Sequence, residues 1–287
     1  MPKRIVPKYT FTGESSVDSD EDYWYIYLKS TGELRMEWPK TADVFLVGGG
    51  GSGGVGAGAG GGGGGYTATA RGVSISAHTA YPVTVGLGGA GSDVLPSNSN
   101  GQEGGASAAF GYQADGGGGG YWESDYFAPG GAGGSGGGAG TYEKPEYGGY
   151  SGAGGSNGGA GGRSDKASGG AGQGSSTHAF ADARYPLYAG GGGGYARKGA
   201  GGTGGEGGGG NGTGEDSGGN DVSAQAGAPN TGGGGGGGGG AGGSGVVIIR
   251  SADQDYLPVF FGDTRLQEVW YNGTRADSLI FNGEQLY

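Results

Sequence analysis

The chain has 287 residues, 85 of them glycine against a usual share of about 7%, and a formal net charge of -11. Only 32% of its residues are hydrophobic, too few for a conventional two-layer core of this length, so composition alone places it with low-complexity, disordered sequences. The acidic balance opposes non-specific nucleic-acid binding, the absence of cysteine removes disulfide frameworks and thiolate metal sites, and His78 and His178 stand too far apart in sequence to suggest a zinc centre.

Residues 1–10, MPKRIVPKYT, are basic but lead into no apolar segment of a secretory leader, and no run of about 18 apolar residues follows. A soluble chain without a cleaved leader or membrane insertion is therefore expected. YTFTG at 9–13, YWYIYLKS at 23–30 and ELRMEW at 33–38 predict strands, with STG at 30–32 as a hairpin turn between the last two. Between them Asp18, Asp20, Glu21 and Asp22 read as a solvated acidic loop rather than a metal site. ADVFLVGGGG at 42–51 is a strongly apolar strand passing directly into glycine. GVSISA at 72–77 and AYPVTVG at 80–86 carry the two-residue alternation of half-buried strands, and GVVIIR at 245–250 closes the set. Val44–Val47 and Val246–Ile249 thus bracket nearly 200 residues of glycine-rich sequence. They pair side by side, face each other in two sheets, or belong to separate domains; loop entropy grows only logarithmically with length and allows the first two.

Within the bracket, GGAGGSGGGAG at 130–140, GGAGG at 158–162 and GGTGGEGGGGNG at 201–212 repeat Gly-Gly-x with a period near three. That is the period of the polyproline-II conformation, not the 3.6 of an α-helix or the two of a strand. Collagen is excluded, because it needs uninterrupted G-X-Y rich in proline and the ten prolines lie outside the runs. Polyglycine-II rods bonding laterally through their backbones would satisfy buried donors and acceptors with almost no side-chain core. Flexible polyglycine is the alternative, and the nine consecutive glycines at 232–240 are one rod in the first reading and slack in the second. SDVLPSNSNGQE at 92–103, YWESDYFAP at 121–129, TYEKPEYGGY at 141–150, HAFADARYPLY at 178–188 and GEDSGGNDVSAQAGAPN at 214–230 fit loops reversing direction between rods. Their aromatics suit either ligand contact or capping of the rod ends.

Residues 251–287 change character again. FGDTRLQEVW, YNGTRADSLI and FNGEQLY align with a period of ten, placing Phe261, Tyr271 and Phe281 in register ahead of turn-forming Gly262, Asn272-Gly273 and Asn282-Gly283. The expected fold is therefore mostly β. A small β-sandwich-like module at 1–90, completed by the closing strand 245–250, holds a polyglycine-II helix bundle at 91–244, and a short β-hairpin unit occupies 251–287.

Catalysis is not expected. VFLVGGGGSGGVG at 44–56 mimics a dinucleotide loop, but glycines this dense match that pattern by chance, no apolar helix follows, and no Lys-Ser or Lys-Thr pair closes a phosphate loop. Glu123, Asp125, Glu143 and Glu146 could supply paired carboxylates of a glycosidase, with nothing to fix their separation. No catalytic residue, metal or cofactor is assigned.

ADVFLVGGGGSGG, AYPVTVGLGGAG, the Gly-Gly-x middle and the closing GGSGVVIIR together resemble the glycine-rich domain of many bacteriophage and prophage tail proteins. The FNG repeat resembles short C-terminal units on such proteins. More loosely, the middle is similar to the polyglycine-II bundle of adhesins at the tips of some long phage tail fibres, whose distal aromatic loops contact a receptor on the bacterial surface. Carried over by position, that likeness implies receptor-binding roles for Tyr121, Trp122, Tyr126 and Phe127, for Tyr142, Tyr147 and Tyr150, and for Tyr185 and Tyr188. It implies a non-enzymatic tail tip or fibre adhesin of the virion, assembled in the host cytoplasm and acting outside the cell. Its partners would be a surface glycan or protein and other tail proteins, with a homotrimer by analogy to fibres. A tail or capsid decoration with the bundle as rigid spacer is the alternative, and an ice- or mineral-binding glycine protein a third reading.

Overall fold

A computed structural model describes residues 7–92, 96–123, 128–141, 177–197, 199–215 and 221–252, together with six two-residue backbone stretches between 260 and 285. Within them the chain is mostly β. Nine strands fall in the first 114 residues: β1 (Tyr9–Phe11), β2 (Ser15–Ser19), β3 (Trp24–Leu28), β4 (Gly32–Met36), β5 (Lys40–Val47), β6 (Thr67–Ile75), β7 (Tyr81–Thr84), β8 (Ser107–Ala109) and β9 (Tyr112–Ala114). A short pair follows, β10 (Gly214–Glu215) with β11 (Asp221–Val222), and then β12 (Val246–Ser251).

Two antiparallel five-stranded sheets result, one in the order β2-β3-β12-β5-β6 and the other β1-β4-β7-β8-β9. The closing strand lies beside the opening one, with Val246 opposite Val47 and Ile249 opposite Val44. Its other edge pairs with β3, so β12 is the central strand of its sheet. The predicted hairpin at 30–32 does not form, because β3 and β4 belong to different sheets. Packing gives the reason. Trp24, Ile26 and Leu28 of β3 and Leu34 and Met36 of β4 are buried in one core, and crossing between sheets lets both strands face it from opposite sides.

Val44 and Leu46 of β5 and Val247 and Ile249 of β12 enter that core, while their alternates Phe45, Val47, Val246 and Ile248 enter a second cluster on the other face. A strand buried on both faces needs an unbroken apolar run, which VFLV and VVII supply. The second face is covered by residues 179–189 of the insertion, read from sequence as a turn between rods. Phe180, tilted, and Tyr188, edge-on, pack against Phe45 with ring centres 5.8 and 5.5 Å away. Three residues of this cover, Ala179–Ala181, form the one 3-10 turn among the described residues.

The glycine stretches form neither α-helix nor extended ladders, yet their amides are bonded in a three-residue rhythm. Gly60, Gly63 and Tyr66 donate to the carbonyls of Tyr121, Gly118 and Asp115, at 2.9–3.0 Å. Gly61 and Gly64 donate to Gly138 and Ser135, and Gly62 and Gly65 to Gly235 and Gly232. Every third residue thus addresses the same neighbouring segment, which runs antiparallel. Residues 48–55 repeat the pattern, sending N–H groups to 60–66, 99–105 and 240–243 while their carbonyls accept from Gly89, Gly117, Gly120, Gly235 and Gly238. All of 48–55 is buried, and each of its N–H groups is paired to a backbone carbonyl.

Beyond β12 the described backbone of the ten-residue repeat forms three antiparallel two-stranded pairs: β13 (Phe260–Phe261) with β14 (Thr264–Arg265), β15 (Trp270–Tyr271) with β16 (Thr274–Arg275), and β17 (Ile280–Phe281) with β18 (Glu284–Gln285).

Candidate functional site

Tyr121 ends the segment 115–121, which crosses the glycine array. Its N–H donates to the Pro129 carbonyl and its carbonyl accepts from Gly60, both at 3.0 Å, so the backbone is fixed on two sides. The side chain is left 48% exposed. Trp122 follows, half-buried, with its N–H donating to Asn100 Oδ1 at 2.9 Å. Its indole lies against Gly56, where an added Cβ would stand 2.7 Å from Nε1; the φ of +115° at Gly56 also favours glycine. Asn98, Asn100 and Glu123 are exposed around the pair. The result is an aromatic, polar surface without a cation among these residues, on a backbone held by its neighbours.

Tyr185 and Tyr188 lie elsewhere. Tyr188 is only 8% exposed and, as part of the cover, packs on Phe45, where burial raises its pKa well above the ordinary value. Tyr185 is half-buried, its ring edge-on to Tyr25 at 5.6 Å and its hydroxyl bonded to that of Tyr25. Burial, followed by the bonds to Asp20 and Tyr185, pushes the Tyr25 phenol far up. Burial also tends to raise Asp20, but the Tyr25 hydroxyl and the amides of Tyr23 and Asp22 outweigh it and hold the carboxyl below its usual range. Tyr126, Phe127, Tyr142, Tyr147 and Tyr150 lie outside the described residues.

The cover is pinned by charge that sequence reasoning did not single out. Arg250, 5% exposed at the end of β12, places its guanidinium carbon 4.0 Å from the centre of the Phe180 ring and 4.4 Å from that of Tyr23. One of its amino groups lies 3.5 Å from Asp43 Oδ2, which also takes a 2.8 Å bond from Arg71. Arg71 in turn donates to the Phe180 carbonyl at 2.9 Å. At the exposed rim, Arg184 side-chain and backbone bonds hold Asp182 at about 2, and Arg184 reaches Asp22 at 3.0 Å. The only signal in the sequence was a lone arginine closing the apolar run VVII.

Among the described residues no group of three or more His, Asp or Glu side chains is arranged to hold a metal, and no helix is long and apolar enough to cross a membrane. No curated protein matches the sequence. A family model described as a glycine-rich domain matches residues 30–252, from just before β4 through the last residue of β12 and one beyond. That match takes in the opening and closing strands, the glycine segments bonded between them and the aromatic cover, and the chain belongs to the glycine-rich domain family.

Proposed function

We propose that the glycine segments form a polyglycine-II bundle whose rigidity presents Tyr121 and Trp122 to a receptor, and that the protein is a bacteriophage tail-tip or fibre adhesin attaching the virion to its bacterial host. The observation that carries the bundle is the three-residue rhythm of lateral hydrogen bonds from Gly60 to Tyr66, since a rod with three residues per turn turns every third amide to the same side. The phage setting rests on the resemblance of the glycine-flanked strands and the FNG repeat to tail proteins. Rigid aromatics on an ordered backbone give contact area at small entropic cost, which favours adhesion through this pair. Tyr188 is buried on Phe45 and Tyr185 half-buried against Tyr25, which leaves these two less surface for contact than Tyr121 and favours the second reading, a rigid spacer within the virion.

Binding of fluorescently labelled protein to a panel of bacterial strains separates the two. Adhesion predicts saturable binding to a host strain, weakened about thirtyfold or more in the Tyr121→Ala/Trp122→Ala protein at unchanged melting temperature. Equal adsorption of the double variant would remove the site assignment. Tight binding to a virion protein, with none to cells, would favour the spacer.

A further inference from the structure

Arg250 is a buried cation whose hydrogen bonds are incomplete. It is 5% exposed, its Nη1 reaches the Tyr185 hydroxyl at 3.3 Å and its Nη2 reaches Asp43 Oδ2 at 3.5 Å, while its Nε has no acceptor. Buried side-chain donors are ordinarily satisfied, and an exception on a charged group calls for an explanation. Asp43 does not fill the gap. Its Oδ2 is taken at 2.8 Å by Arg71 and its Oδ1 at 3.2 Å by the Gly72 N–H. The under-used side of Arg250 is therefore its Nε/Nη2 edge, a planar fork that matches a carboxylate.

A cavity of about 210 Å³ opens beside that edge, with Tyr23, Thr41, Asp43, Gly72 and Arg250 among the residues lining it. Strand register puts these side chains on one side of the sheet. Arg250 stands opposite Tyr25 on β3 and Asp43 on β5, on the outer face shared with Ile248 and Phe45. Tyr23 and Thr41 lie two residues further along that face, and Ala42 between Thr41 and Asp43 turns to the core. A β-bulge between Ala42 and Val44 sets Asp43 beside Gly72, where the φ is +64° and an added Cβ would meet nothing within 4 Å, so space is left toward β6. Asp43, the neighbour of Nη2, lines the cavity, which places the under-used edge on the cavity side. The Phe180 and Tyr23 rings, centred 4.0 and 4.4 Å from the guanidinium carbon, hold it there.

We infer that this cavity binds a small carboxylate, whose oxygens take the Nε/Nη2 edge of Arg250 while Thr41 flanks the rest of the molecule. Its volume lies below the roughly 300–1,000 Å³ of drug-sized pockets, which limits the ligand to a simple organic acid or a single sugar acid. Arg71 already neutralises Asp43, so the Arg250 charge is left for one anionic group. A planar monoanion suits it better than a phosphate dianion, which the Asp43 carboxylate would repel more strongly. Nε is closed to bulk water, and the carboxylate reaches it as the half-buried Tyr23 ring at the cavity wall turns aside. The site requires neither the polyglycine-II bundle nor the Tyr121–Trp122 surface.

The test is NMR titration of the isotope-labelled full chain with sodium acetate and with sodium glucuronate, at an ionic strength held constant with sodium chloride. The arginine Nε–H signals are the readout. That of Arg250 is identified by its loss in Arg250→Lys or, should this variant not fold, by Overhauser contacts to the Phe180 and Tyr23 rings. The Arg250 signal should move saturably with at least one carboxylate and stay in place with glucose. Movement with both acids makes the ligand any small organic acid, and movement with glucuronate alone a sugar acid. Arg250→Lys keeps the charge but loses the fork, so calorimetry should show its affinity for the active probe about tenfold weaker or more. An Arg250 signal that ignores both carboxylates overturns the assignment, as do an equal response to glucose, tighter binding of phosphate than of either acid, or parental affinity in folded Arg250→Lys.

Discussion

At Gly50 an added methyl group would stand 2.1 Å from the carbonyl oxygen of Gly233, and at Gly53 it would stand 2.0 Å from that of Gly236. Both obstacles are backbone, fixed by hydrogen bonds of their own, so no rotamer change makes room. Gly105 is different, since its nearest obstacle would be 3.2 Å away. Gly50→Ala is therefore expected to cost about 3 kcal/mol or more, the upper range for overpacking, and Gly105→Ala about 1 kcal/mol or less. Urea unfolding of the two variants measures the difference, and equal stabilities would mean that backbone proximity at Gly50 does not set the requirement for glycine. Here glycine is demanded by what lies beside it rather than by the turn it makes.

Among the elements, the cover at 179–189 depends most on one side chain. Phe180, 2% exposed, touches Phe45 on one side and the Arg250 guanidinium on the other. Phe180→Ala should lower stability by about 3–5 kcal/mol and increase proteolytic cleavage within 179–189, because the outer face of β12 then loses its lid. A loss below about 1 kcal/mol would show that the cover contributes little to the sheet. The strands beneath it were legible, since VFLV and VVII are continuous apolar runs and such runs signal burial on both faces. What buries the second face was not legible. HAFADARYPLY has neither a two-residue nor a 3.6-residue period, so its aromatics read as a loop. The β8–β9 hairpin went unread for a related reason: its turn is Phe-Gly, and the local signal for a tight turn is Asn-Gly. The β3–β4 connection looked like a hairpin because STG is good turn chemistry, and only the shared core of Leu28 and Leu34 reveals a crossing between sheets. Of the named aromatics, Tyr121 and Tyr188 were indistinguishable in sequence, each a tyrosine near glycine; their exposure differs because Tyr188 follows a segment drawn onto Phe45.

For the whole molecule, the closing strand is decisive. β12 sits between β3 and β5, so the sheet is complete only when residues on both sides of the glycine-rich stretch meet. The hydrogen bonds between glycine segments extend that closure inward, since 48–55 bonds to 99–105 and 240–243 as well as to its own return at 60–66. The three-residue repeat of Gly-Gly-x and the three-residue alternation of bonding partners share one period, which makes the order of the array a property of backbone rather than side chains. Amide hydrogen exchange in the native protein tests this most directly. The account predicts that the amides of residues 49–53 and 61–65 exchange as slowly as those of Leu46 and Val247 in the central strands. Exchange of those glycine amides at the rate of an unstructured peptide, while Leu46 and Val247 stay protected, would contradict it.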